Sequence, residues 1–310
     1  MNISTIQQRV KPWMMPFAMV VGAFFHDAIS AVEWVVPYLI FTMLFITFCR
    51  IRPSELRLSG MIWSLLAIQL LGSVALFCVL RPFGLSVAQA VFICVLCPTA
   101  TAAPVVTGML GGDIAKVASY SIVCNLAVAL VSPLLFVLFG SGVSGISFGV
   151  EFVSIGMRVA PLIVFPLMAA FLLYLFCRPV HTAVGKIQGI SFYLWSVSLI
   201  VVVGRAVSFV LAEPREAVPS MIAMSVLALF VCLAQFGAGR IIGLRYGDPV
   251  SGAQSLGQKN TVLAIWMALT YLEPIASIGP ASYIVWQNTI NSAQLYYRMK
   301  HLGNTSEAKQ

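Results

Sequence analysis

Lys259 sits within Ser-Leu-Gly-Gln-Lys-Asn-Thr (255–261), and the nearest other charges, Asp248 and Glu273, lie 11 and 14 residues away. The run around it is long and apolar. An ammonium in such a run costs several kcal/mol unless it meets a partner, a solute or water. Seven of the nine residues from Ser251 to Lys259 are polar or glycine, so this face is not built for lipid. The apolar run that follows, Val262 to Leu272, is too short to span a bilayer by itself. The polar stretch therefore contributes to the crossing, and Lys259 marks where in the membrane the work is done.

A second segment has the same character. Cys-Pro-Thr-Ala-Thr-Ala-Ala-Pro-Val-Val-Thr-Gly (97–108) carries Pro98 and Pro104. Each removes a helix donor and clashes with the preceding turn. A third segment, near the C-terminus, carries the amides Gln287, Asn288, Asn291 and Gln294. Asn288 and Asn291 are three apart and share a helical face. Amides within a membrane face other helices or a cavity. Cys94 and Cys97 have the spacing of a redox or metal pair, but with no His or acidic neighbour they read as packing residues.

The elements that hold these residues follow from composition. The chain has 310 residues, is 60% apolar and 9% charged, and has a mean hydropathy of +0.97. Soluble domains carry about 25% charged residues, so this is an all-α polytopic membrane protein. The lipid bilayer is its solvent. The net charge of +8 is dispersed between apolar runs and forms no nucleic-acid face. No cleavable leader is expected, because Met1 to Lys11 is largely polar.

Ten membrane spans are expected, over 13–28, 33–50, 60–80, 87–111, 117–139, 151–177, 188–211, 219–240, 250–272 and 279–299. With the N-terminus inside, thirteen of the eighteen Lys and Arg fall on the inner side, among them Arg9, Lys11, Arg52, Arg57, Lys116, Arg178 and Lys309. The outer loops hold only Arg81 and Arg215. Arg158, Arg205 and Lys259 lie within spans; Arg158 and Arg205 read as anchors reaching toward the outer interface. Both termini are then cytoplasmic. Ten spans divide into two inverted five-helix repeats, about 1–140 and 150–300, in a single transmembrane domain. The broken helices 4 and 9 hold matching places in the two halves. Such a pair points to a solute site at the midplane. No catalytic residues are expected: a membrane enzyme would need paired membrane Asp, a Ser–His pair or a His-rich metal site. A channel or pore is the competing class.

The order and spacing of these residues resembles the bile acid/sodium symporter family, in its bacterial branch. The matching pieces are Cys97-Pro98 and Thr101-Ala102, Ser132-Pro133-Leu134-Leu135, Gly257-x-x-Asn260 and Trp286-x-Asn288. The resemblance covers nearly the whole chain. It implies a core of spans 60–139 and 219–299 moving against a panel of spans 13–50 and 151–211. It implies alternating-access transport of small organic anions, bile-acid- or pantoate-like carboxylates, across a bacterial inner membrane. By position, Thr101, Asn260 and Asn288 match the family's solute-binding residues, with Lys259, Gln287 and Asn291 beside them.

The family's sodium sites are matched poorly. Ser255 stands where the family has a glutamate, Lys259 where it has a glutamine, and Ala103-Pro104 where it has a Ser-Asn pair. Gln258, Ser121, Asn125 and Gln69 are what remains of the coupling-site positions. A hard cation needs several oxygens and usually negative charge. No bound metal and no cofactor is therefore expected. Sodium coupling is disfavoured, and the Lys259 ammonium is expected in the place of the cation, with proton coupling through it as the alternative. An ordinary sodium-coupled symporter is the competing reading within the family, and a lysine snorkelling to the inner surface is the competing reading of Lys259.

Overall fold

The computed structural model describes residues 17–51, 56, 58–140 and 148–307. The start of the first expected span, 13–16, lies outside these, as do Arg9, Lys11, Arg52, Arg57 and Lys309. Among the described residues the chain is helical, without a strand. In order the helices are α1 (17–24), α2 (His26–Ser30), α3 (Val36–Phe48), α4 (Gly60–Leu80), α5 (Leu85–Leu96), α6 (Ala103–Met109) and α7 (Ile114–Phe139). There follow α8 (Phe148–Phe176), α9 (Arg178–Lys186), α10 (Gln188–Ala212), α11 (Val218–Arg245), α12 (Pro249–Gly257), α13 (Thr261–Tyr271) and α14 (Ile278–Glu307).

Among the described residues, five helical segments are long and apolar enough to cross a membrane: Gly60–Phe83, Ile114–Phe139, Phe148–Phe176, Tyr193–Ala212 and Arg215–Arg245. Shorter apolar helices occupy Glu33–Phe48, Leu85–Leu96 and Thr261–Tyr271. This is the architecture of a multi-pass membrane protein. The breaks fall where the prolines and the polar stretch put them. α5 ends at Leu96 and α6 begins at Ala103; α12 ends at Gly257 and α13 begins at Thr261.

Two stretches differ from the sequence expectation. The first span is divided at a turn on Phe25, which leaves His26 and Asp27 in the short α2. The inner loop expected after residue 177 is instead α9. Pro179 sits in its first turn, where a missing donor costs nothing. His181 on α9 is buried edge-on to Tyr174, and Arg178 lies over the same ring.

The chain folds as two compact units. One comprises Met1–Arg52, Ala129–Met221 and Val262–Ile278. In it α3 packs against α8 and α10, and α2 packs against α10. The other comprises Pro53–Val128, Ile222–Thr261 and Gly279–Gln310. Here α4 lies along α5, and α12 touches α4 and α6. Its core joins α5 (Val91, Cys94, Val95), α11 (Ala228, Val231, Cys232, Phe236), α12 (Ala253) and α14 (Tyr283).

One close approach in the second unit has a simple cause. Gly239 and Gly243 are four apart on α11 and face Gly252 on α12. A Cβ on Gly252 would meet the Cα of Gly243 at 2.8 Å. Small residues at this spacing let helix backbones touch, which replaces the hydrophobic drive that lipid does not supply. Every residue from Ser251 to Asn260 is buried, so the polar stretch meets protein.

Candidate functional site

The breaks in α5–α6 and α12–α13 meet. Thr99 and Lys259 form an antiparallel backbone bridge. The Ala100 amide donates to the Gln258 carbonyl at 3.0 Å, and the Asn260 amide to the Pro98 carbonyl at 2.8 Å. Two C-terminal helix ends, Leu96 and Gly257, come to this point with the starts of α6 and α13.

Stopping α5 at Pro98 leaves carbonyls without helical donors. The amide that would serve Cys94 belongs to Pro98, which has no N–H. The Cys94 carbonyl instead accepts from Gln235 Nε2 on α11 at 3.3 Å. The next carbonyl, of Val95, accepts from Lys259 Nζ at 2.9 Å. The Leu96 and Cys97 carbonyls both accept from Gln69 Nε2 on α4, at 2.8 and 3.1 Å. Four backbone acceptors are thus closed by side chains from α11, α4 and the opposing break. Burying them unpaired would cost about 1–3 kcal/mol each.

The second break is closed in the same way. Thr99 Oγ1 donates to the Ser255 carbonyl at 2.7 Å, and the Tyr283 hydroxyl to the Gly257 carbonyl at 2.8 Å. Gln287 brackets the Lys259 peptide: its Oε1 accepts from the Lys259 amide at 2.9 Å and its Nε2 donates to the Lys259 carbonyl at 3.3 Å. The Cys97 thiol donates to the Asn260 carbonyl at 3.0 Å.

Lys259 is 1% exposed. Its ammonium does not reach for a surface; it points to the C-terminal end of α5. That end carries roughly half a negative charge from the helix dipole, so the cation lies where helix electrostatics favour it. Gln69 is held in turn by the Tyr120 hydroxyl at 2.6 Å and the Cys124 thiol at 3.3 Å, both donating to its Oε1.

The remaining predicted residues make contacts of their own. Thr101 is half-buried in the unwound segment before α6, whose first residues are the buried Ala103 and Pro104. Asn260 is buried beside Lys259. On α14, Asn288 Nδ2 donates to the Ile284 carbonyl of its own helix at 2.7 Å. Asn291 Oδ1 accepts from Gln254 Nε2 at 3.1 Å, and Gln294 Oε1 accepts from the same nitrogen at 2.9 Å. On α7, Asn125 Nδ2 donates to the Ser121 carbonyl at 2.7 Å. Ser255 Oγ, Gln258 Oε1 and Asn125 Oδ1 are buried without a hydrogen-bond partner among the described residues. Among the described residues, no three His, Cys, Asp or Glu side chains converge as metal ligands.

Gln235, Gln254 and Tyr283 were not singled out in the sequence. The signal for the first was there: a lone amide in the apolar run of α11 needs a partner. The N-terminal end of α12 also carries a network. Asp248 caps the helix, its Oδ1 accepting from the Ser251 amide at 3.0 Å, and its Oδ2 pairs with Lys116 Nζ at 3.3 Å. The Asp113 amide donates to Ser251 Oγ at 2.8 Å. Burial alone would raise the Asp248 carboxyl, but the bonds from Ser251 and Lys116 outweigh it and hold it below its ordinary value of 3.8.

No family model matches the chain. It is similar to an uncharacterised sodium-dependent transporter, YocS, of Bacillus subtilis (strain 168), with 25% identity over 232 residues, covering 70% of this chain and 67% of the relative. That relative is named a transporter, in keeping with a chain that is not an enzyme. Together with the helical, membrane-type architecture, the likeness supports a transporter.

Proposed function

We propose that the protein is a secondary carrier of small organic anions, working by alternating access. Lys259 supplies the positive charge at the crossing that a coupling sodium ion would otherwise bring. The observation that carries this reading is the Lys259 Nζ to Val95 carbonyl bond at 2.9 Å, with the side chain buried in the second unit. Backbone carbonyls freed by a broken helix are cation ligands. Here one of them holds an ammonium that the chain itself provides.

In this reading Thr101, Asn260 and Asn288 receive the carboxylate, and the start of α13 adds the positive end of a helix dipole. Gln287 and Asn291 act through their partners: Gln287 fixes the Lys259 peptide and Asn291 fixes Gln254. Solutes of bile-acid or pantoate type fit this pattern of charge and amides. Ten spans in two inverted repeats, with cytoplasmic termini in a bacterial inner membrane, complete the proposal.

A sodium-coupled symporter is the second reading. The relative is named sodium-dependent, and the unpartnered oxygens of Ser255, Gln258 and Asn125 are acceptors of the type an alkali cation takes. Against it, none of the three is a carboxylate, and an ammonium repels Na⁺.

Uptake into proteoliposomes, with Na⁺, K⁺ and pH gradients imposed one at a time, separates the two. The proposal expects saturable anion uptake or exchange that is indifferent to Na⁺. Strict dependence on Na⁺ would refute the substitution of the cation by Lys259. Non-saturable flux would indicate a pore.

A further inference from the structure

A second charged side chain is sunk among apolar helices, in the unit that contains α3, α10 and α13. Arg205, in the last third of α10, is two-thirds buried, with 33% of its side chain exposed. Its Nε contacts Glu33 Oε2 at 2.7 Å, and its guanidinium lies over the Phe209 ring, 4.6 Å from the centroid. Arg205 and Glu33 are both in the wall of a cavity of about 310 Å³. Trp34, Trp266 and Leu269 supply apolar walls, and Thr270 a hydroxyl. Small-molecule sites begin at about 300 Å³ and combine apolar walls with a few placed polar groups.

The chemistry of this cavity is specific. A guanidinium offers five N–H donors in a planar fork matched to a carboxylate, and Glu33 meets it at Nε. Glu33 sits on a short 3₁₀ turn, Glu33–Val35, and its side chain is 47% exposed. It is therefore a half-exposed carboxylate in the wall of the site, accessible to solvent. The two indoles supply aromatic surface suited to an aromatic or alicyclic body. Thr270 Oγ1 donates to the Trp266 carbonyl at 2.6 Å, which leaves the hydroxyl lone pairs as acceptors.

We propose that this cavity is a capture site for small carboxylates with an apolar body, in which Arg205 binds the anion and Glu33 is the tethered carboxylate that the ligand displaces. The positive-inside reading puts this end of α10 on the outer side, so the site would collect solute before it is carried. Only that purpose rests on the anion-carrier proposal; the binding does not.

The test uses the full chain in detergent or nanodiscs, with benzoate as probe and benzamide as its neutral twin. Binding is read by tryptophan quenching and by thermal shift. Benzoate is expected to bind and benzamide to bind at least about tenfold more weakly, because a charge-assisted hydrogen bond is lost. Arg205→Gln is expected to weaken benzoate about tenfold, and Glu33→Gln to tighten it severalfold by removing the competitor. Both variants are read alongside Arg215→Gln, an exposed basic residue outside the cavity wall, which should bind benzoate as the native protein does. Equal binding of benzoate and benzamide, or a Glu33→Gln variant that binds no tighter, would show a structural ion pair and overturn the proposal. If the capture site binds as expected while proteoliposomes show no uptake, the carrier reading fails and the site stands.

Discussion

Thr99 and Lys259 pair across an antiparallel bridge at the point where two interrupted helices meet. The bridge joins two non-helical segments: Pro98 removes the donor that would continue α5, and α12 stops at Gly257. The side chain of Lys259 then turns back to close the end of α5. One residue therefore serves both as backbone partner and as cap, and its charge is a by-product that a carrier of anions can use.

Replacing Lys259 separates those roles. Lys259→Met leaves the Val95 carbonyl without its donor and should destabilise the protein by about 1–3 kcal/mol. Anion uptake should fall more steeply than stability accounts for, because the positive charge is gone. Thermal unfolding and proteoliposome uptake on the same preparation give the comparison. Uptake that merely tracks the folded fraction would return Lys259 to a purely structural role.

The sodium question can be approached by construction. The double substitution Ser255→Glu with Lys259→Gln adds a carboxylate, adds an amide oxygen and removes the ammonium. Na⁺ should then stabilise the variant and not the native chain, by about 2.7 kcal/mol at a hundred times Kd. A thermal-shift titration with NaCl against choline chloride reads it.

Gln69 is the hub of the first break. Its amide donates to two carbonyls and accepts from Tyr120 and Cys124. Gln69→Leu should cost about 3 kcal/mol or more, since several buried polar groups lose their partner together. Gln69→Glu, which keeps the acceptor but not the donors, should not restore the loss. Chemical denaturation of the two variants is the measurement.

The α11–α12 contact tolerates no side chain at Gly252. Gly252→Ala should destabilise by about 1–3 kcal/mol, because the intruding atom meets backbone that cannot rotate away. Gly237, on the same helix as Gly239, has nothing within 4 Å of an added Cβ. Gly237→Ala should be neutral or slightly stabilising, by helix propensity. A melting-temperature difference between the two variants checks the prediction.

Asp248 links stability to pH. Its folded pKa lies below its ordinary value of 3.8. Its contribution is therefore complete at pH values above 3.8 and fades as the pH falls through the depressed folded value. Asp248→Ala also removes a helix cap, at a cost of about 1 kcal/mol. Asp248→Asn keeps the cap acceptor but loses the pair with Lys116 and the acceptor for the Asp113 amide, together worth about 1–2 kcal/mol. Melting temperatures across acid pH should show the native protein converging on Asp248→Asn as the carboxyl protonates.

Much of this architecture is legible in the residues themselves. Few charges and long apolar runs require a membrane, since no water-facing surface can be made from 9% charged residues. Pro98 and the polar run 251–260 locate the two breaks, because a missing donor and a lipid-averse face are local properties. Lys259 stands out for the same reason: a charge in an apolar run is visible without knowing its neighbours.

What answers each of these local demands is decided elsewhere in the chain. Nothing near Pro98 says that its orphaned carbonyls will be met by Gln235, Lys259 and Gln69, which lie 137, 161 and 29 residues away. Nor does the Gly239–Gly243 spacing name Gly252 as its partner, or Arg205 announce Glu33. α9 was missed because a Pro at a helix start looks, in one dimension, like a loop. Local chemistry states which groups must be satisfied; only the packing of helices distant in sequence brings a donor within 3.3 Å of each acceptor.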